Sequence, residues 1–401
     1  MGDESGHRAA LVASFLGWAL DAFDFFLVVF ALTAIAQEFH TSDAAVALSI
    51  TLTLAFRPVG ALLFGLLADR YGRRLPLMID LVFYSIVEVL SGLAPSYRSF
   101  LVLRALFGIG MGGEWGVGAS LAMEKAPARL RGVLSGLLQE GYAAGYLLAA
   151  LCYFVVFPRF GWRPMFFVGG LPALLTLFIR AKVKESEAWH EHRTDWTTYR
   201  RSLFQHWHRF LYLVLLMTMM NFMSHGTQDM YPTLLGTLGY ANNRIAEITM
   251  LSMIGAVLGG LVFGYYSDLS GRRRAMMTAI TCAFVVVPFW IAGISPAFTL
   301  IGVFLMQFFV QGAWGVIPAH INELSPGSLR GFFPGFAYQL GVLCASSIPY
   351  LESALGEMFT YRQAMGGLVT AVLIGAFFVT YFGPEAHGVT FRKTPARKAV
   401  A

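Results

Sequence analysis

Long apolar runs, separated by short polar or charged stretches, extend along almost the whole chain. Inside these runs the hydrophobic residues are continuous, as in Phe284–Trp290, and do not alternate with polar residues at every second position. Such runs are typical of membrane-spanning helices, whereas alternation would indicate a membrane barrel. With boundaries at the polar breaks, the pattern predicts twelve helices near 10–36, 44–68, 75–94, 99–121, 133–157, 163–181, 209–236, 244–267, 275–295, 297–320, 332–351 and 360–382.

The composition agrees with a membrane location. Of the 401 residues, 57% are hydrophobic and only 13% are charged, whereas charged residues make up about a quarter of a typical soluble domain. Twelve spanning helices of about 20 residues each would use roughly 240 residues. The length therefore leaves room for short loops and tails only, and a soluble protein is excluded.

The distribution of Lys and Arg predicts the orientation. Placing both termini and the central stretch 182–208 on one side gives that side 22 of the 29 Lys and Arg residues. Because Lys and Arg favour the cytoplasmic side, we expect both termini in the cytoplasm of a multi-pass plasma-membrane protein, in a bacterial inner membrane. The predicted domains are a six-helix bundle at 1–181, a cytoplasmic linker at 182–208, and a second six-helix bundle with a short cytoplasmic tail at 209–401.

The two halves of the chain repeat each other at a fixed spacing of 199 residues. The spacing superposes Gly65, Asp69, Gly72, Arg73 and Arg74 on Gly264, Asp268, Gly271, Arg272 and Arg273. Without a gap it also superposes Gly113, Trp115, Gly116, Val117, Glu124, Pro127, Leu130, Arg131 and Gly132 on Gly312, Trp314, Gly315, Val316, Glu323, Pro326, Leu329, Arg330 and Gly331. Parallel repeats of this kind occur in transporters whose two bundles rock about a central site, so the repeat predicts a transport function.

The segment Gly65–Arg74, GLLADRYGRR, resembles the signature loop of the major facilitator superfamily. The resemblance covers nearly the whole chain and implies an all-α membrane fold of twelve helices in two pseudo-symmetric six-helix bundles. It also implies that the charged loop residues latch the cytoplasmic gate; the alternative is that they only set topology or are plain surface charges. The predicted gate residues are Asp69, Arg70, Arg73, Arg74, Glu124, Arg131, Asp268, Arg272, Glu323 and Arg330.

Ionisable residues inside the predicted helices are few. A charge at the bilayer centre costs about 2.5 to 3.5 kcal/mol on insertion scales, so such residues are functional candidates. The candidates singled out deep in the predicted helices are Asp21, Asp24, Arg57, Glu88, Arg104, Glu114, Glu140, His225 and Asp229. The predicted eighth, ninth, eleventh and twelfth helices contain almost none.

Arg57 lies near mid-depth of the second predicted helix and is followed by Pro58. A guanidinium binds a carboxylate with two parallel hydrogen bonds and stays charged, so we predict that Arg57 binds an organic anion. A structural ion pair with Asp21, Asp24 or Glu114 is the alternative.

Four acidic residues are predicted to take part in proton coupling: Asp21, Asp24, Glu114 and Glu140. Asp21 and Asp24 are three residues apart and share one face of the first helix, where crowding of two carboxylates favours the binding of a proton. A role as counter-ions to buried arginine is the alternative for this pair. For Glu114 the alternative is a structural pair with Arg104 or Arg57.

The seventh predicted helix carries seven polar residues in a segment that should be apolar: Asn221, Ser224, His225, Thr227, Gln228, Asp229 and Thr233. His225 and Asp229 are four residues apart and can face each other, so the carboxylate can stabilise a protonated imidazole. A polar patch that seals a helix contact is the alternative.

This run resembles the seventh-helix signature of the lactate/pyruvate:proton symporters, a branch of the sialate:proton symporter family. The resemblance implies that Asn221, Ser224, Thr227, Gln228 and Thr233 bind substrate together with Arg57, while His225 and Asp229 couple transport to protons.

The predicted function is proton-coupled symport of short monocarboxylates such as lactate and pyruvate by alternating access. Sialate or an aromatic acid is the alternative substrate, since Asp21-Ala-Phe-Asp24 also resembles the aromatic-acid symporters. A membrane sensor that binds an acid without moving it is a further alternative. The sequence lacks nucleophile and metal-binding motifs, so we expect no enzyme activity, no metal and no cofactor. The expected partners are a small organic monocarboxylate anion, protons and the lipid bilayer, without nucleic acid, and the protein should function as a monomer.

Overall fold

The computed structural model describes residues 4–193, 195–293 and 295–391. Residues 392–401 of the predicted cytoplasmic tail lie outside this part of the chain, as do residues 1–3. Every regular element within the described part is helical. Up to the end of the linker the helices are α1 (Glu4–Glu38), α2 (Asp43–Tyr71), α3 (Arg74–Gly92), α4 (Tyr97–Lys125), α5 (Arg131–Gln139), α6 (Gly141–Phe160), α7 (Arg163–Val168), α8 (Pro172–Lys182), α9 (Glu187–His192) and α10 (Trp196–Gln205). The later helices are α11 (Trp207–Gln228), α12 (Tyr231–Thr237), α13 (Asn242–Ser270), α14 (Arg272–Ala292), α15 (Pro296–Leu324), α16 (Phe333–Ala345), α17 (Ile348–Met358) and α18 (Tyr361–Phe382).

Eleven segments of the described chain are long and apolar enough to cross a membrane. They coincide with eleven of the twelve predicted helices, and the all-helical fold class is confirmed. The one predicted helix without such a segment is the eleventh, at 332–351. It instead forms α16 and α17, which are separated at Ser346 and Ser347. Both serine hydroxyls donate to carbonyls three residues earlier, and Pro349 has no amide hydrogen for the helix ladder.

Three further predicted helices are interrupted, so the prediction of continuous helices was wrong at these points. The fifth is broken at Glu140 between α5 and α6, and the seventh after Gln228 between α11 and α12. The sixth is broken between α7 and α8. Pro172 and Pro232 occupy the first turn of α8 and α12, where a missing amide hydrogen is tolerated and a new helix starts readily.

Close packing between α2 and α4 determines the position of Arg57. A Cβ atom at Gly112 of α4 would lie 1.9 Å from the Arg57 carbonyl oxygen, so only glycine permits this approach. Small residues allow such close contacts between membrane helices. The glycine-rich run of α4 therefore packs helices together and holds the Arg57 backbone at the centre of the first half.

The two halves of the chain meet mainly at one end of the molecule. There α5 packs against α13 and α15, and α16 packs against α2 and α4, whereas α6 packs mainly against α1 and α7 of its own half. The linker helices α9 and α10 and the segment 383–391 lie at the same end, bonded to residues such as Asp69 and Arg131. We call this end the linker face and the opposite end the far face.

Candidate functional site

Arg57 lies between the two halves of the chain and is 4% exposed. Its guanidinium carbon is 5.7 Å from the ring centre of Tyr338, which belongs to α16 in the second half. Neither Nε nor Nη2 has a hydrogen-bond partner among the described residues. These two nitrogens form one edge of the guanidinium plane, and this edge can donate two parallel hydrogen bonds to a carboxylate.

Aromatic side chains from both halves surround Tyr338. We call Trp18, Trp115, Tyr142, Trp314 and Tyr338 the aromatic cluster. Ring centres lie 4.4 Å apart for Tyr338 and Trp115, 5.8 Å for Tyr338 and Trp314, and 6.5 Å for Tyr338 and Trp18. Trp115 and Trp314 occupy equivalent positions in the repeat, so the repeat places one tryptophan from each half against the same tyrosine.

Five carboxyl groups are buried together in the first half. We call Asp21, Asp24, Asp80, Glu88 and Glu114 the acid cluster; all five are at most 1% exposed. The charges of Asp21, Asp24, Asp80 and Glu114 all act on the buried hydroxyl of Tyr84, which places these four groups around it. Gly17 leaves room for this arrangement, because a Cβ atom there would lie 2.2 Å from Glu114 Oε1.

Only one member of the acid cluster forms an ion pair in the described part of the chain. Arg104 Nη2 contacts the Glu88 carboxylate and donates to the Ser91 hydroxyl at 2.6 Å. Neither carboxyl oxygen of Asp21, Asp24 or Glu114 has a hydrogen-bond partner among the described residues. The described part of the chain thus contains no direct ion pair between these three acids and Arg57, or between Glu114 and Arg104, and Glu88 is the bonded partner of Arg104. The charges of Arg57 and Arg104 still act on Asp21 and Asp24, so a role of these aspartates as counter-ions to buried arginine stays open.

His225 and Asp229 contact each other as their spacing predicts. His225 Nδ1 lies 3.0 Å from Asp229 Oδ2, and the two side chains are 39% and 34% exposed. Asp229 comes directly after the last residue of α11, where the helix is interrupted. The pair is therefore accessible to solvent, unlike the acid cluster.

Three of the other polar residues of α11 bond to two glutamines of α15. Ser224 accepts from Gln311 at 3.0 Å, Gln228 donates to Gln307 at 2.7 Å, and Gln307 in turn donates to Thr227 at 3.1 Å. This polar contact between α11 and α15 corresponds to the alternative given above, a polar patch that seals a helix contact. Sequence reasoning missed both glutamines, although their spacing of four residues in an apolar helix was an available signal.

The remaining predicted site residues lie at different places. Asn221 is buried and donates to the Met217 carbonyl of its own helix at 2.7 Å, and Thr233 lies beside Tyr361 of α18. Glu140 faces the second half, because a Cβ atom at Gly260 would lie 2.5 Å from its Oε1. Glu140 is thus placed where the halves meet, and none of these contacts joins it to the acid cluster.

Two buried acids were missing from the predicted site. Asp80 in α3 belongs to the acid cluster, and Glu352 in α17 is fully buried near Asp229. The predicted eleventh helix ended at residue 351, one position before Glu352, so Glu352 was missed because the helical region continues to Met358. Asp80 stands within the predicted third helix, so its charge in an apolar run was a signal that could have found it.

On the linker face the predicted gate residues form a buried network with the symmetry of the repeat. Within each half, Arg73 bonds to Asp69 at 2.8 Å and to Glu124 at 2.9 Å, and Arg272 bonds to Asp268 at 2.7 Å and to Glu323 at 2.9 Å. Across the halves, Arg131 bonds to Glu323 at 2.8 Å and Arg330 lies 3.4 Å from Glu124. Each glutamate therefore joins one arginine from each half.

Backbone amides complete the contacts between the halves. Asp69 accepts from the amides of Gly331 and Phe332 at 2.6 and 3.1 Å. Asp268 accepts from the amides of Gly132 and Val133 at 2.7 and 3.0 Å. Both aspartates thus bind the start of the segment that follows Arg131 or Arg330 in the opposite half, and the linker face is closed.

The linker and the segment 383–391 cover this network. Burial raises the pKa of Tyr199, so its hydroxyl stays protonated and donates to Asp69 at 3.2 Å. The ring of Phe391 lies 3.9 Å from the guanidinium carbon of Arg131 and 4.0 Å from that of Arg330. Phe391 therefore contacts one gate arginine from each half.

Two predicted gate residues have other surroundings. Arg74 Nη2 donates to the Arg180 carbonyl at 2.6 Å, a contact within the first half. Arg70 lines a small crevice with Asp195 and Tyr199 of the linker. The Arg74 contact thus lies within the first half, and Arg70 lies beside Asp69 and the linker.

The fold and the buried charges define a class, the multi-pass membrane transporters built from two related helix bundles. The structure matches that of the proton:xylose symporter XylE bound to 6-bromo-6-deoxy-D-glucose with a TM-score of 0.77 at 20% identity, over 97% of this chain and 98% of the other. The family description "Sugar (and other) transporter" matches residues 9–211, and "Major Facilitator Superfamily" matches residues 230–400. The chain belongs to the major facilitator superfamily.

Three curated relatives are transporters of acids or metabolites. The carboxylic acid transporter protein homolog of Saccharomyces cerevisiae is 28% identical over 92% of this chain, which spans 66% of that protein. The sialic acid transporter NanX of Escherichia coli is 28% identical over 97% of both chains. The probable 4-methylmuconolactone transporter of Cupriavidus pinatubonensis is 30% identical over 94% of this chain and 90% of its own length. These relatives support a transporter role, whereas the lactate/pyruvate branch stays a prediction.

Proposed function

We propose that this protein is a proton-coupled symporter of a short monocarboxylate, such as lactate or pyruvate, that works by alternating access. The observation that carries the proposal is the free Nε and Nη2 edge of Arg57, buried between the two halves. Buried guanidinium nitrogens without an acceptor are unfavourable, and a substrate carboxylate would satisfy both nitrogens at once. The polar residues Ser224, Thr227 and Gln228 would bind the hydroxyl or keto oxygen, with Asn221 and Thr233 nearby in sequence.

The proton would be bound at His225 and Asp229, with the acid cluster and Glu140 as further proton-binding groups. The His225–Asp229 pair is partly exposed, which supports its place as the entry point for the proton in this proposal. One anion that moves with one proton carries no net charge. Transport should therefore follow the pH gradient and respond little to the membrane potential.

Alternating access would use the two halves as bundles, 1–181 and 209–401, joined by the linker 182–208. We assign the linker face to the cytoplasm on the Lys and Arg distribution. Under this assignment, the closed network of Arg131, Glu323, Arg330 and Glu124 would correspond to an outward-facing state. Opening toward the cytoplasm requires these pairs to separate. The proposed unit is a monomer, because the site lies within one chain.

A planar conjugated acid is the second candidate substrate. The aromatic cluster beside Arg57 favours it, because flat π systems pack well against aromatic rings. The relative described as a probable 4-methylmuconolactone transporter is consistent with this candidate. Aliphatic hydroxy and keto acids have no π face, so the two candidates differ in a property that competition can measure.

Uptake of radiolabelled lactate into proteoliposomes tests the proposal. An inward-directed proton gradient should drive accumulation, and a membrane potential at equal pH on both sides should not. A panel of unlabelled competitors, namely pyruvate, benzoate, nicotinate and sialate, then ranks the substrate classes. Uptake driven by voltage alone would contradict electroneutral symport, and binding of an acid without uptake would favour the sensor.

A further inference from the structure

Glu352 is a buried acid that neither the repeat nor the seventh-helix run assigns to a function. It lies in α17 and is 0% exposed. Neither of its carboxyl oxygens has a hydrogen-bond partner among the described residues. A buried carboxylate without a donor or a counter-ion is strongly unfavourable, so its position needs an explanation.

The surroundings of Glu352 connect it with the proton pair. The helix α17 packs against α11 and α18. A Cβ atom at Gly226 of α11 would lie 3.9 Å from Glu352 Oε1, and Gly226 is the residue next to His225. Glycine at this position leaves the carboxyl group directly against the backbone of the helix that carries the proton pair.

Two titratable groups face Glu352 from the helices that pack against α17. The charge of Asp229, at the end of α11, acts on Glu352, and Glu352 in turn acts on Tyr361 of α18. Asp229 is bonded to His225, whereas Glu352 forms no ion pair within the described part of the chain. When two carboxyl groups interact at short range, one of them holds a proton. Glu352 is the more deeply buried of the two carboxyl groups and has no bonded partner in the described chain, so we expect it to be the one that accepts the proton.

We propose that Glu352 is a proton-binding residue of the transport cycle, loaded through His225 and Asp229. The inference rests on the proposed function, because it extends the proton pair inward. In the loading step the Nδ1–H bond of the His225 imidazolium breaks, the proton passes by way of Asp229, and an O–H bond forms on Glu352. No electrons are transferred, and Glu352 becomes neutral. The solvent-exposed pair then exchanges protons with the far face, while Glu352 stores the proton in the bundle interior.

If Glu352 has only a structural role, the size and hydrogen bonds of its side chain matter and its ability to bind a proton does not. Substitutions can therefore separate a structural role from a proton-binding role. E352Q keeps the size and hydrogen-bonding capacity of the side chain but cannot bind a proton. E352D keeps the titratable carboxyl but shortens the side chain. The matched control is E357Q, because Glu357 is an exposed acid of the same helix.

Two transport assays in proteoliposomes measure the effect with radiolabelled lactate. Counterflow exchanges substrate without net proton movement, whereas accumulation requires the proton to be released. A gradient of about one pH unit can drive up to about tenfold accumulation per coupled proton. We expect E352Q to abolish this accumulation and to retain counterflow, E352D to restore part of the accumulation, and E357Q to behave as the wild type. Two results would overturn the assignment. One is accumulation by E352Q at the wild-type level, and the other is more accumulation by E352Q than by E352D.

Infrared spectroscopy of the purified protein provides a readout that does not depend on any substrate. The difference spectrum between about pH 5 and about pH 8, a range in which a perturbed carboxyl group or histidine titrates, should contain a protonated-carboxyl band. Other buried acids contribute bands of their own, so E352Q should lose the part of this signal that belongs to Glu352, and E357Q should retain it. If it persists unchanged in E352Q, the inference is wrong even when the wild type transports lactate with protons. If the band behaves as expected but lactate is not transported, the proposed substrate is wrong and Glu352 is still a proton-binding residue.

Discussion

The linker face and the interior of the first half bury the same kinds of charged side chain in opposite ways. At the linker face Asp69, Glu124 and Glu323 are each bonded to arginine, and Asp69 also accepts from backbone amides. In the acid cluster the carboxyl oxygens of Asp21 and Glu114 form no hydrogen bond in the described chain. Burial alone therefore does not distinguish a charge that stabilises this conformation from one that is available to a substrate or a proton. The number of hydrogen bonds made to the charged group does.

The difference has an energetic reason. Removing one partner of a buried ion pair costs about 3 to 5 kcal/mol, because the other charge is left uncompensated. A buried acid without a partner has no such bond to lose. The linker face is thus stabilised by its charges in this conformation, whereas the unpartnered groups are available to a ligand or a proton.

The largest effect is expected for Glu323→Gln, which weakens the bonds to Arg131 and Arg272 at once. It should destabilise the closed linker face by about 3 kcal/mol, in the range for a broken buried pair. Thermal unfolding of the detergent-solubilised protein measures this loss. The control is Glu38→Gln, since Glu38 forms a half-exposed pair with Arg163 at 2.8 Å and such pairs contribute about 0 to 1 kcal/mol. Equal losses for the two variants would contradict the comparison.

Substituting the two buried arginines of the first half should separate binding from stability. Arg57→Lys keeps the charge but removes the planar edge, so substrate affinity should fall about 10- to 100-fold, the equivalent of one charge-assisted hydrogen bond. Arg104→Lys should instead lower thermal stability and leave affinity nearly unchanged, because Arg104 already bonds to Glu88 and Ser91. Binding of lactate, measured by calorimetry, and thermal unfolding decide the outcome. Unchanged affinity in Arg57→Lys would remove Arg57 from the site.

A smaller, pH-dependent effect is expected at Glu385, outside the membrane helices. Burial raises its pKa, but hydrogen bonds from backbone amides, beginning with that of Arg273 at 2.9 Å, outweigh this effect and hold the pKa below its ordinary value of 4.5. A depressed pKa means that the ionised group contributes stability above pH 4.5, and that this contribution is lost as the pH falls below it. Glu385→Gln should therefore be less stable than the wild type at neutral pH, and the difference should shrink in acid. If the stability difference between the variant and the wild type grows in acid, the pKa of Glu385 is not depressed in the folded protein.

The smallest effect is expected for Asp80→Asn in the acid cluster. Its oxygens have no hydrogen-bond partner in the described chain, so the neutral isostere loses no bond and thermal stability should be unchanged or higher. Asp69→Asn is the comparison, because Asp69 accepts from Arg73, Gly331, Phe332 and Tyr199. If both variants are destabilised equally, the distinction between bonded and unbonded acids fails.

The sequence predicts the helices well because their signal is local. Apolar runs of sufficient length predict spans wherever they occur, and eleven of the twelve appear as such in the described chain. The exceptions have local causes that hydropathy ignores: serine hydroxyls and Pro349 divide α16 from α17, and Pro232 starts a new helix after Asp229. The break in the seventh helix coincides with the proton pair, so the most informative polar run is also where the helix prediction failed.

The site was only partly predictable, because its partners are distant in sequence. The repeat indicated which gate residues correspond, and the structure places Arg131 beside Glu323 although 192 residues separate them. Nothing in the sequence indicated that Arg104 bonds to Glu88 rather than Glu114, or that Gln307 and Gln311 bond to the polar run. Those choices depend on the rotation of each helix about its axis, which hydropathy does not determine.

The contact of Phe391 with Arg131 and Arg330 has a practical consequence. One ring bridges two guanidinium groups that belong to opposite halves of the chain, so its environment must change whenever those halves move apart. A fluorescent amino acid at position 391 would therefore report gate opening in real time, from a location remote from the carboxylate-binding arginine. A bulky fusion partner attached immediately after Phe391 would disturb its contact with the two arginines. Purification tags are therefore better placed at the N-terminal end.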